Sequence, residues 1–213
     1  MAQIISKERV VAHGEVFTRE EEVSGMLDLV KSETERIDSR FLEPACGTGN
    51  FLQEILQRKL DVVERRYHKH QFDYERQAVI AVSSIYGIDI LADNVKACRK
   101  RIYSVFNERY TKLYSNDCND SCRASVRHIL ELNITHGDAL TLKKVDKDEP
   151  IIFPEWSALN GKFLKRRDFA FEDLLIHQEI AGLPLFSDLG EEVFIPTPKQ
   201  EYPPVHFLEL AHE

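Results

Sequence analysis

Glu43-Pro44-Ala45-Cys46-Gly47-Thr48-Gly49-Asn50-Phe51 stands between two segments of different periodicity. Before it, Arg40-Phe41-Leu42 is a short strand candidate. After it, Phe51, Leu52, Ile55, Leu56 and Leu60 fall on one stripe of a helix. Strand, glycine turn and helix together open a βα unit, and the two glycines let backbone approach a ligand more closely than any residue with a Cβ could.

The pattern extends in both directions. Upstream, Val23, Met26, Leu27 and Val30 keep helical spacing over Glu20 to Val30, with Thr18 as N-cap and Glu21 three residues on. Downstream, Asp61 to Tyr74 is densely charged and reads as a solvated helix end or insertion before an apolar helix at Ala78 to Ser83. Ile85 to Ile90 is a compact strand, and Val95, Cys98, Ile102 and Phe106 mark a helix over Ala92 to Tyr110. A polar loop, Tyr114 to Asp120, and a helix from Ser121 to Leu132 precede a third strand, Asn133-Ile134-Thr135-His136-Gly137-Asp138. This alternation predicts an α/β fold with a doubly wound, mostly parallel sheet and helices on both faces. Seven of the eight prolines lie from Pro150 onward and periodicity fades there. The chain is therefore expected to divide into a domain over 1–145 and an irregular, Pro-rich extension over 146–213 that docks on that domain or on a partner.

Three acids, Glu43, Asp89 and Asp138, close the three strands. In a sheet of this kind the carboxyl ends of the strands form the ligand crevice. A carboxylate after the second strand can accept hydrogen bonds from the hydroxyls of a ribose. The turn Gly47-Thr48-Gly49 lacks the spacing of a dinucleotide fingerprint, and acids beside it would repel a pyrophosphate while tolerating a sulfonium.

On these residues the chain resembles the N6-adenine-specific DNA methyltransferases of restriction–modification systems. Glu43 to Phe51 is similar to the family's methyl-donor loop, and Gly14-Glu15-Val16-Phe17-Thr18 to its N-terminal motif, with Arg19 where a proline normally follows. Tyr86-Gly87-Ile88-Asp89 resembles the ribose-binding motif and His136-Gly137-Asp138-Ala139 the adenine-binding one. The four matches appear in family order over roughly the first 140 residues. The resemblance implies a class I, Rossmann-like domain that binds S-adenosyl-L-methionine through Phe17, Thr18, Glu43, Ala45, Cys46, Gly47, Gly49, Asn50, Phe51, Asp89, Ile90, Asp138 and Ala139, with no metal.

The family's Asn/Asp-Pro-Pro-Tyr/Phe segment is missing. Its amide and carbonyl accept the hydrogens of the target amine, and its aromatic residue stacks on a flipped base. Pro150-Ile151-Ile152-Phe153-Pro154-Glu155-Trp156 stands where it would fall, and Tyr202-Pro203-Pro204 has the wrong order. The sheet is therefore expected to be incomplete, with the first strand's edge open to pairing. The resemblance then implies a donor-binding subunit of a site-specific adenine methyltransferase, inactive alone, whose catalytic loop and target recognition come from a second subunit. Two alternatives stand beside it: a stand-alone methyltransferase with a degenerate loop at 150–156, and a non-catalytic regulatory subunit that binds the donor.

The formal charge of −8 agrees with DNA held mainly through a partner, because a chain that grips a duplex alone usually carries a basic face. Lys162-Phe163-Leu164-Lys165-Arg166-Arg167 is the densest basic run and is read as solvated surface ahead of a DNA contact. Trp156 is read as a packing anchor and Cys46 as a small packing residue. Four cysteines make no disulfide framework, and no apolar run spans a bilayer or forms a signal peptide, so a cytoplasmic location is expected.

Overall fold

A strand that crosses over through helices to a parallel neighbour does so with one hand. Two successive crossovers stepping in the same direction therefore place all their helices on the same side of the sheet. The computed structural model, which describes residues 18–159, 161–175 and 196–212, follows this rule. After helices α1 (Glu20–Asp28) and α2 (Lys31–Thr34), strand β1 (Phe41–Glu43) leads through α3 (Asn50–Tyr67) and α4 (Gln71–Ser83) to β2 (Ile85–Asp89). From there α5 (Ala92–Tyr114) and α6 (Asp120–Asn133) lead to β3 (Ile134–Asp138), which turns into the two-residue β4 (Lys143–Lys144). The sheet order is β1-β2-β3-β4; the first three strands are parallel and β4 is antiparallel to β3. The chain is thus a mixed α/β protein with a mostly parallel sheet. Among the described residues no helix is long and apolar enough to cross a membrane.

The register sorts the side chains. Glu43 pairs with Gly87 and Gly87 with Ile134, so Ile85, Ile134 and the strand-end acids share one face. That face carries the larger core, in which Ile85 and Ile134 pack with Leu52 and Leu56 of α3, Val79 of α4, Ile102 of α5 and Ile129 of α6. Tyr86 and Ile88 point the other way, into a smaller core with Ile151, Phe153 and Phe171. The expected double winding is corrected here: all four crossover helices lie on one face. To place one on the other face, the chain would have to reverse direction across β1, and no strand flanks β1 on that side among the described residues.

The second face is covered in part by what the sequence presented as an irregular extension: Ile151, Phe153 and Phe171 pack on Tyr86 and Ile88, while Trp156, Leu164 and Phe207 join the larger core. Strands β5 (Ile152–Leu159) and β6 (Phe163–Ala170) form a long antiparallel hairpin, and β7 (Gln200–Glu201) and β8 (Val205–His206) pair with β6. Pro154 is tolerated because β5 is the edge strand of this second sheet. Trp156 is buried, and its indole N–H donates to Asn133 Oδ1 at 3.0 Å. The Asn133 amide in turn donates to the Ser83 and Ile85 carbonyls at 3.1 and 2.9 Å, locking the hairpin to the start of β2. The basic run lies in β6, where Lys165 pairs with Glu201, Arg166 with Asp168 and Arg167 with Glu155.

The charged stretch Asp61 to Tyr74 is also more ordered than its composition suggests. Helix α3 continues to Tyr67 with Val62 and Val63 buried, and α4 begins at Gln71 with Tyr74 and Glu75 buried. Within α3, Lys59 is fully buried; its ammonium donates to the Ile37 carbonyl at 3.1 Å, the Ser84 hydroxyl at 2.6 Å and the Ser39 carbonyl.

Burial lowers the Lys59 amine to about 7. Between that value and the ordinary lysine value the unfolded chain binds the extra proton, so this residue's contribution to stability rises with pH across that window. In urea unfolding, Lys59→Met is expected to cost more at pH 10 than at pH 7, the gap widening by on the order of 3 kcal/mol. A constant gap would show that the amine stays charged in the folded protein.

Candidate functional site

Three parallel strands end side by side, and the loops that follow them enclose a cavity of about 530 Å³. The loop after β1 is the glycine turn. Gly47 has φ +52° and Gly49 φ +90°, values that residues with a Cβ rarely adopt. The turn is pinned from beneath: the Cys46 amide donates to the Ile88 carbonyl and the Gly49 amide to the Cys46 carbonyl, both at 2.8 Å. The Gly47 amide donates to Asp89 Oδ2, also at 2.8 Å. Gly49 then caps the amino end of the 18-residue helix α3, whose first turn carries no acid.

Eleven of the thirteen residues singled out from the sequence line this cavity. Glu43, Ala45, Cys46, Gly47, Asn50 and Phe51 come from the glycine turn and its helix, and Thr18 from the segment before α1. Asp89 and Ile90 follow β2, and Asp138 and Ala139 follow β3. Gly49 is the exception. It is buried against α5, where an added Cβ would lie 2.7 Å from Cys98 Sγ, so its place is structural. Phe17 lies outside the described residues, as does the rest of Gly14 to Phe17.

Thr18 reaches the site by a different route from the one its sequence position suggested. Arg19 is the N-cap of α1, and Glu22 accepts from the Arg19 amide at 3.3 Å. The Thr18 carbonyl accepts from the Asn50 amide at 3.2 Å, while Asn50 Oδ1 accepts from Arg101 of α5. Asn50 thus ties the incoming chain to two helices at the rim.

The sequence reading missed Asn94, which lines the cavity and is itself buried. Its amide donates to Asp89 Oδ1 at 3.2 Å, and the Leu91 amide donates to the same oxygen at 2.9 Å. A polar residue in the first turn of the helix after a strand-end acid was the available signal. Leu140, 94% exposed, and Ile90, 50% exposed, add apolar surface beside Asp138 and Asp89.

Among the described residues the lining holds Glu43, Asp89 and Asp138 and no lysine, arginine or histidine. Burial raises the Glu43 carboxyl above its ordinary value, opposed by the Ala45 amide, which donates to it at 3.4 Å. Three carboxylates without a cationic side chain beside them favour a cationic or hydrogen-bond-donating ligand over an anion. None of Pro150 to Trp156 lines it; Pro150 bridges to Lys143, and the residues from Ile152 on belong to the hairpin, where Tyr86 donates to the Pro154 carbonyl at 2.8 Å.

Comparison with protein-family models, with curated proteins and with solved structures yields no match to this chain.

The glycine turn makes a paired prediction. Gly49→Ala combines a positive φ with a clash on Cys98 and is expected to cost about 2–4 kcal/mol in denaturant unfolding. Gly25→Ala, in α1 with nothing within 4 Å of the added Cβ, should instead stabilise by about 0.5–1 kcal/mol. Equal effects would mean that the turn relaxes freely.

Proposed function

We propose that this chain is the S-adenosylmethionine-binding subunit of a site-specific adenine-N6 DNA methyltransferase, with the base-binding catalytic loop and target recognition supplied by a second subunit. The observation that carries the reading is the convergence of Glu43, Asp89 and Asp138, from three successive strand ends, on one cavity beside the Gly47-Thr48-Gly49 turn, with no cationic side chain in the lining. Carboxylates favour a sulfonium and can accept from an amine or a hydroxyl, whereas they disfavour phosphate. The amino end of α3, without an acid of its own, suits the carboxylate of the donor's amino-acid part. Ile90 and Leu140 offer apolar surface for the adenine.

In this reading the chain binds and orients the donor while the amine to be methylated arrives with the partner. The finer assignment of the fold to the class I methyltransferases rests on the same convergence together with the motif resemblance. The stand-alone alternative would need residues 150–156 at the cavity, and their position in β5 and the two residues before it does not favour it.

Methyl transfer from labelled S-adenosylmethionine to mixed DNA tests the whole reading. Activity is expected only when the chain is combined with the product of a neighbouring reading frame that carries Asn-Pro-Pro-Tyr; robust transfer by the chain alone would overturn the split arrangement. Donor binding gives a second test. Because burial raises the Glu43 carboxyl, its negative charge is lost at a higher pH than that of an ordinary carboxylate. Affinity for the sulfonium should therefore fall as pH is lowered through that transition, and Glu43→Gln should flatten the profile in calorimetric titrations. A profile that Glu43→Gln leaves unchanged would remove Glu43 from the site.

A further inference from the structure

The donor reading assigns Asp89 to a ribose, and a carboxylate free on both oxygens would take the two hydroxyls of a ribose symmetrically. Asp89 is not free in that way. A carboxylate has about four lone-pair positions, two on each oxygen. On Oδ1 both are occupied, by the Leu91 amide at 2.9 Å and the Asn94 side-chain amide at 3.2 Å. On Oδ2 one is occupied by the Gly47 amide at 2.8 Å. These donors hold the carboxylate from three directions: the glycine turn, the residue before α5, and the first turn of α5 itself. Each also serves the fold. Gly47 and Leu91 donate from the main chain, and Asn94 is only 4% exposed.

We propose that Asp89 presents a single acceptor position to the cavity, on Oδ2, so that this site grips a ribose through one of its two hydroxyls, with Asn94 as the positioning residue that closes Oδ1. The inference rests on the donor reading and adds an asymmetry to it. One hydroxyl finds a charged acceptor. The other must be satisfied by solvent or by a group outside this carboxylate, because engaging Asp89 symmetrically would break one of the bonds that hold the glycine turn or α5. Asn94 lines the same cavity, so removing its amide opens the second position on Oδ1 from the ligand's side.

The test uses the full chain, calorimetry, and three compounds: S-adenosylhomocysteine and its 2′-deoxy and 3′-deoxy analogues. A hydrogen bond to a charged group is lost in only one analogue, so one deoxy compound should bind on the order of tenfold more weakly than the parent, the other about as well. Equal losses from the two analogues would overturn the inference while leaving donor binding intact. Failure of the parent compound to bind would instead overturn the donor reading beneath it. In Asn94→Ala the newly opened position should make the second hydroxyl count, narrowing the ratio between the two analogues. A merely structural role for Asn94 would weaken all three compounds by one factor and leave the ratio as in the unaltered chain, overturning the positioning role. The comparison of analogues on the unaltered chain stands even if the variant does not fold.

Discussion

The hydrogen bond from the Gly47 amide to Asp89 joins the two loops on which the site depends. It spans the first and second strands, fixes a turn whose glycines sit at positive φ, and sets the start of two long helices. The bond exists because the strands pair in parallel with Glu43 opposite Gly87, which lets the turn after β1 run beside the last two residues of β2. Gly87 contributes by absence: a Cβ there would meet Cys46 Sγ and Leu52 at 3.0 Å, so the turn settles onto β2 only because that position is bare. Sheet register, turn conformation and the orientation of an acid in the cavity are in this way one constraint.

The two faces of the sheet solve their burial differently. One is served by the crossover helices and holds most of the core; the other is closed by a hairpin from the far end of the chain. Asn133 and Trp156 couple the two solutions, since the Asn133 side chain bonds both the backbone before β2 and the indole of β5. That anchor sits at the end of the sheet opposite the cavity, while Ala139 beside the cavity packs against the smaller core to which Phe153 of the hairpin belongs.

The βα alternation was legible because each unit signals itself locally, through an apolar run, a glycine or acid, and a helical stripe. The same locality made the site readable: Glu43, Asp89 and Asp138 each stand at a strand end visible in the sequence, and topology then gathers them. What was not legible depended on contacts distant in sequence. The hairpin was hidden because burial along β5 does not alternate cleanly, Pro154 interrupts it, and the basic residues of β6 find acids that only folding brings close. The single-sided layering followed from the direction of two crossovers, which no residue announces. Asn94 was passed over because its role lies in a bond to Asp89 that its helical position makes possible but does not require. Thr18 was assigned a cap that Arg19 holds, a shift of one residue that still left Thr18 at the rim.

Strand β1 leaves one edge without a neighbouring strand among the described residues, with Leu42 40% exposed on the face that also carries Tyr86. Such edges template the stacking of chain upon chain when they are long and flat. This one is three residues long, is followed at once by Pro44, and is preceded by Arg40 in an ion pair with Glu155. An incoming strand would find few amides to join and a charged pair at the threshold. The open edge therefore offers little to a further strand, and anything that covers β1 would have to gain its hold from surface beyond the ladder itself.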